Sequence, residues 1–147
     1  MNDVKILLIE DEESDIRLFK ETLAQYDNVS FDITVEKTAK GAIDRLKKNE
    51  CFDVIVTDII LPDNRDLSII KDIKYYNNGS PILVLSNLDD DFVIEKAINN
   101  GAYALISKSE FNGNLKRAII AAKASGIIKR QRNLELINTF KTVLSYP

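Results

Sequence analysis

Short runs of isoleucine, valine and leucine alternate along this chain with stretches whose apolar residues recur every three or four positions. Residues 4–9 are almost wholly apolar, which suits a strand covered on both faces. Ile16, Phe19, Leu23 and Ala24 then share one stripe, predicting a helix over 14–25 with Ser14 as its N-cap. Residues 31–35 alternate Phe, Ile and Val with Asp and Thr, an edge-strand pattern. Ala39, Ala42, Ile43 and Leu46 mark a helix over 38–48. The same reading gives strands at 54–57, 82–85 and 104–106, and helices at 67–76, at 89–99 and from 114 onward. Gly101, after Asn100, suits a left-handed C-cap on the fourth helix.

Five strand–helix units with connections this short predict a parallel sheet with helices on both faces. In such a sheet ligands lie beyond the carboxyl ends of the strands, near the reversal of strand order. The polar residues fall there: Glu10-Asp11 after the first strand, Asp58 after the third, Ser86 after the fourth, Ser107-Lys108 after the fifth. Carboxylates gathered at one rim repel, by about 4 kcal/mol for unit charges ~4 Å apart at an effective dielectric near 20, so a cation is expected among them. Hard oxygen donors with open water positions favour Mg²⁺ over Zn²⁺ or a closed Ca²⁺ cage. Ser86 and Lys108 complement phosphoryl oxygens, and Asp58 between them is placed as a nucleophile that forms an aspartyl phosphate. Other acids read as local structure. Glu12 and Glu13 suit a helix start, Asp53 and Asp63 read as structural, and Asp89, Asp90 and Asp91 serve the N-terminus of the fourth helix.

Four segments then carry a resemblance: residues 5–11 (KILLIED), 52–62 (FDVIVTDIILP), 81–86 (PILVLS) and 101–108 (GAYALISK). In this order and spacing, residues 4–124 resemble the response regulator receiver domain of two-component signalling. The resemblance implies a flavodoxin-like, doubly wound sheet of order 2-1-3-4-5. It implies that Asp58 accepts a phosphoryl group from the phosphohistidine of a histidine kinase or histidine phosphotransfer protein. Mg²⁺ is then ligated by Asp11, Asp58 and the Ile60 carbonyl, with Glu10 holding it through water. Ser86 and Lys108 bind the phosphoryl oxygens, and Ser86 moves inward as part of the switch. The activity implied is that of a signalling switch, with self-catalysed phosphorylation and dephosphorylation only.

Several positions depart from the family pattern. Glu10 replaces the usual Asp, Asn87 replaces a small residue after the hydroxyl, and Ser109 replaces a proline after the lysine. At the switch position Leu105 replaces Tyr or Phe, so no aromatic ring reports the phosphorylated state. Tyr103 and Ala104 stand where transcription-factor receivers carry a dimerising acid. Ile60 and Leu88, two residues after Asp58 and Ser86, are apolar and orient no water, which predicts a long-lived phosphoryl-aspartate.

Composition narrows the alternatives. The 147 residues, 45% hydrophobic, suffice for one buried core without metal or disulfide. With no histidine, the chain has neither a His-metal site nor a phosphohistidine of its own. Cys51 is the lone cysteine and reads as a small core residue in a reducing compartment. No signal-peptide core or membrane-length apolar run is present, predicting a cytoplasmic chain without membrane insertion.

Net charge is −3, but residues 1–110 carry 13 Lys/Arg against 22 Asp/Glu, a net −9, while 111–147 carry 7 against 1, a net +6. We therefore expect a receiver domain over 1–125 and a C-terminal helical extension or linker over 126–147. There Ile120, Ile127 and Leu134 recur every seven residues, as do Ile137 and Leu144, suggesting an extended C-terminal helix and a homodimer through it. The resemblance adds that such helices often link a receiver to a further domain, a reading that an end at Tyr146-Pro147 fits. Lys129, Arg130 and Arg132 read as a solvated face rather than a nucleic-acid contact, since no aromatic interleaving accompanies them. Two other readings stay open: a phosphorylation-independent receiver-like interaction module, and a flavodoxin-like ligand-binding domain, the latter without a Gly-rich loop after its first strand.

Overall fold

The computed structural model describes residues 2–25, 28–87, 90–111 and 113–145. Expectations for Leu88, Asp89, Tyr146 and Pro147, and for the Leu144 side chain, lie outside the described residues. Strands β1 (Asn2–Ile9), β2 (Val29–Glu36), β3 (Val54–Asp58), β4 (Ile82–Ser86) and β5 (Ala104–Ser107) alternate with helices α1 (Glu13–Ala24), α2 (Ala39–Lys47), α3 (Ser68–Tyr76), α4 (Asp91–Asn99) and α5 (Leu115–Ser145). A single 3₁₀ turn, Lys108–Glu110, follows β5. All pairings are parallel and the order is β2-β1-β3-β4-β5, as expected for a doubly wound sheet.

The apolar runs explain the layers. β3 and β4 are buried at every position. On one face Leu7, Ile9, Ile55 and Val84 pack against Ala42, Leu46, Ile69 and Ile73 of α2 and α3. On the other, Ile6, Leu8, Val56 and Leu85 pack against Phe19 and Leu23 of α1 and Ile119 and Ala122 of α5. Phe19 meets Phe111 edge-on, closing α1 against the α5 side.

Helix starts differ by a residue or two from expectation, and two of them are set by side-chain caps. α1 begins one residue earlier, with Glu12 in the N-cap position, so Ser14 lies within the helix. Thr38 lies outside α2, its hydroxyl accepting from Gly41 N–H at 3.0 Å, and Asp90 caps α4 by accepting from Val93 N–H at 2.9 Å. Asp63 is structural as expected, reaching across from the β3–α3 loop to accept the Ala39 and Lys40 N–H groups. Asp53 likewise accepts the Lys5 N–H at 2.8 Å. Gly101 ends α4 with φ of +110°, the left-handed cap expected.

One expectation is corrected. Cys51 is exposed rather than in the core, because it sits in the loop between α2 and β3 ahead of the buried Phe52. The extended C-terminal helix is as expected, and Gly126 lies within α5. The helix passes so close to Pro81 that a Cβ there would stand 2.9 Å from the proline Cδ, and the helix runs on past it.

Candidate functional site

Register builds the site. β1 and β3 pair with Ile9 opposite Thr57, so the next residues, Glu10 and Asp58, emerge side by side at the carboxyl edge. Glu10 is held there by its own N–H, which donates to the Glu36 carbonyl at 3.0 Å, and its carboxylate is 1% exposed. Asp58 closes β3, its backbone carbonyl accepting the Thr57 hydroxyl at 2.8 Å. β4 and β5 pair with Ser86 opposite Ser107, which brings the buried Ser86 and the start of the 3₁₀ turn at Lys108 to the same edge.

These residues border a cleft of about 380 Å³ at the point where strand order reverses. Asp11, Asp58, Ile60, Ser86 and Lys108 all line it, so the expected site residues converge, with Glu10 buried beside them. Asn87 also lines the cleft, whereas Leu105 is half-buried in the apolar layer beneath.

The ammonium of Lys108 is the centre of the arrangement. It donates to Asp58 Oδ2 at 2.7 Å, to Asp15 Oδ2 at 2.7 Å and to Glu10 Oε2 at 2.9 Å. The other Asp58 oxygen, Oδ1, accepts the Ile60 N–H at 3.1 Å, and Glu10 Oε1 accepts the Glu12 N–H at 3.2 Å. Burial pushes the Glu10 carboxyl up to about 7; the Lys108 hydrogen bond opposes this and the neighbouring Asp58 charge adds to it. Burial by itself pulls the Lys108 ammonium down, but its bonds to Asp15, Asp58 and Glu10 outweigh that and hold it above its ordinary value.

Asp15 is the residue that sequence reasoning missed. Glu10, Asp15 and Asp58 each offer a carboxylate oxygen within 4.8 Å of the others, whereas Asp11 is a half-buried neighbour on the cleft wall. Asp15 lies in the first turn of α1, which folds back over the strand edge straight after β1. The available signal was the four-residue spacing from Asp11, which a helix starting at once turns back toward the site. Arg65 is a second omission: it is exposed at the cleft mouth, in the loop after β3. The donors are all carboxylate or carbonyl oxygens, the chemistry that suits a small hard divalent cation.

No helix among the described residues is long and apolar enough to cross a membrane. The family model of the response regulator receiver domain matches residues 6–120. The transcriptional regulatory protein KdpE of Staphylococcus aureus is 33% identical over 118 residues, covering 79% of this chain and 48% of the relative. The response regulator ArlR of Staphylococcus saprophyticus is 29% identical over 104 residues, 71% of this chain and 45% of that protein, so the chain spans about half the length of these relatives. Among solved structures, the receiver domain of Francisella response regulator 1452 superposes with a TM-score of 0.72 at 21% identity, over 83% of this chain and 98% of that one. The signal receiver domain of an HD domain-containing protein from Pseudomonas fluorescens gives 0.78 at 21% identity, over 90% and 95%. A doubly wound sheet whose edge gathers Glu10, Asp58, Ser86 and Lys108 thus agrees with the family match, and the chain belongs to the response regulator receiver domain family.

Proposed function

We propose that this chain is a phosphorylatable receiver that takes a phosphoryl group onto Asp58 from the phosphohistidine of a histidine kinase or phosphotransfer protein. The observation that supports it best is the Lys108–Asp58 pair within an acidic, half-open cleft at the switch point of the sheet. In this reading an Asp58 carboxylate oxygen attacks phosphorus, the bond from phosphorus to the donor's imidazole nitrogen breaks, and the electron pair returns to that ring. Lys108 exchanges carboxylate partners for a phosphoryl oxygen, and Ser86 supplies a hydroxyl to another.

Mg²⁺ would be held by Asp11, Asp58 and the Ile60 carbonyl, with Glu10 through water, and would neutralise charge on the transferring group. Residues 1–125 form the receiver in this reading and 126–147 an extension. Leu105, with no ring to swing inward, leaves Ser86 as the switch residue nearest the site.

The test is labelling of the chain by a small phosphodonor such as acetyl phosphate or phosphoramidate, with and without Mg²⁺. One phosphoryl group that requires Mg²⁺ and is lost in Asp58→Asn supports the proposal. A folded wild-type chain that takes no label under any donor would instead make it a phosphorylation-independent interaction module.

A further inference from the structure

Beyond its contacts with the sheet, α5 carries apolar side chains that nothing among the described residues covers. Ile120 is 38% exposed, Ile127 39%, Ile128 49%, Leu134 59% and Ile137 50%. The buried side of the same helix is Leu115, Ile119 and Ala122, so the uncovered side chains face away from the sheet. They continue a shallow, mostly apolar groove on the domain itself, bordered by Gly113, Lys116, Arg117, Ile120, Ala121 and Ala124. We propose that this face, from Ile120 to Asn138, is the seam of a parallel two-stranded coiled coil formed with a second copy of this chain.

Three features select that occupant. With Ile120, Ile127 and Leu134 at heptad position d, position a is filled by Ala124, Gln131 and Asn138. Amides at a are costly in an apolar seam unless each meets its own copy across a two-fold axis, which fixes register and favours two strands. Second, Glu135 is the only acid in residues 111–147, and it falls at e. In a parallel pair, g of one strand faces e of the next heptad on the other, which sets Arg130 of each copy against Glu135 of its mate. Lys123, also at g, faces Ile128, so between Ile120 and Asn138 no g–e pair sets like charges together; Arg117, at the preceding a position, lies outside the seam. An antiparallel pair centred on Arg130 would instead face Arg130 with Arg130. Third, the remaining basic residues of this stretch, Lys129 and Arg132, fall at f and b, away from the seam. Leu136 and Phe140 also lie off it, at f and c, so the seam ends near Asn138.

This inference is independent of phosphorylation, and its test keeps the two apart. Sedimentation equilibrium of the full 147-residue chain with divalent metal chelated should give the mass of two chains. Ile127→Glu combined with Leu134→Glu should give one chain while the thermal melt of the receiver is unchanged, because both side chains are exposed there. Glu135→Arg should weaken association about two- to five-fold, and adding Arg130→Glu should restore it. Gln131→Cys in a Cys51→Ser background should cross-link on mild oxidation. A single-chain mass at every concentration overturns the proposal, as does a mass of three or more. So do a dimer indifferent to the Ile127 and Leu134 changes, or a charge swap that fails to restore pairing.

Discussion

The Lys108 ammonium stands 2.7 Å from Asp58 Oδ2, so the side chain proposed to bind the incoming phosphoryl group is already bonded to the side chain proposed to receive it. In this resting arrangement Lys108 does what a divalent cation would do, neutralising the buried Glu10 and Asp58 together with Asp15. Metal and ammonium therefore compete for the same negative charge.

That competition can be measured in Lys108→Met. Removing one partner from a buried charge cluster costs about 3 kcal/mol, because the other charges stay desolvated and unpaired. The chain should lose about that much stability by chemical denaturation in chelator, and Mg²⁺ should recover more stability in the variant than in the wild type. An equal Mg²⁺ increment in both would show that the ammonium and the metal do not share the site.

Asp15 is predicted to act as a tether on Lys108. Its carboxylate is 31% exposed, and its 2.7 Å bond from Lys108 must lengthen or break before the ammonium can turn to a phosphoryl oxygen. Asp15→Asn should cost about 1 kcal/mol of stability, the value of one charge-assisted hydrogen bond at a partly wet site. At saturating Mg²⁺ it should speed phosphodonor labelling a few-fold. Slower labelling at saturating Mg²⁺ would mean that Asp15 belongs to the cation's own coordination instead.

The strands and the convergence of Glu10, Asp58, Ser86 and Lys108 were legible because both rest on periodicity and on one topological rule. Apolar runs such as 54–57 have few other uses than a buried strand, and the residue after each run falls at the carboxyl edge. Asp15 was not legible, since its place depends on how sharply α1 turns back after β1. Nor were the three hydrogen bonds donated by Lys108, whose acceptors lie 98, 93 and 50 positions away in sequence. The contact of Gly126 with Pro81, which lets α5 pass close to that proline, is likewise invisible to local propensity. Cys51 is the expectation that failed, its residue type favouring burial where the chain turns outward.

A pH dependence follows from Glu10. Its ordinary value of 4.5 is raised to about 7 in the fold, so the folded chain holds a proton that the unfolded chain has released. This contribution to stability is fully present below 4.5 and is lost as pH rises toward and through 7. In chelator the midpoint of denaturation should therefore fall across that window, and Glu10→Gln should flatten the slope. Mg²⁺ affinity should move the opposite way, rising by at most tenfold per pH unit until Glu10 is ionised. A wild-type stability curve that rises with pH through this window would remove the raised Glu10 from the account.

The lifetime of the phosphoryl-aspartate should be set in part by Ile60. Its backbone N–H holds Asp58 Oδ1 while its side chain, 47% exposed, lines the cleft and offers no group to orient an attacking water. Hydrolysis of an acyl phosphate at such a site depends on bulk water arriving in line with the bond that breaks, an ordering cost that a positioned amide would lower. Ile60→Gln keeps the backbone contact and adds that amide. We expect it to shorten the lifetime of the label roughly tenfold, below the range of a true general base because an amide positions water without taking its proton. The readout is decay of phosphorylated chain after donor removal at fixed Mg²⁺. Wild-type label lost within seconds, or an Ile60→Gln decay no faster than wild type, would place the control of lifetime elsewhere in the cleft.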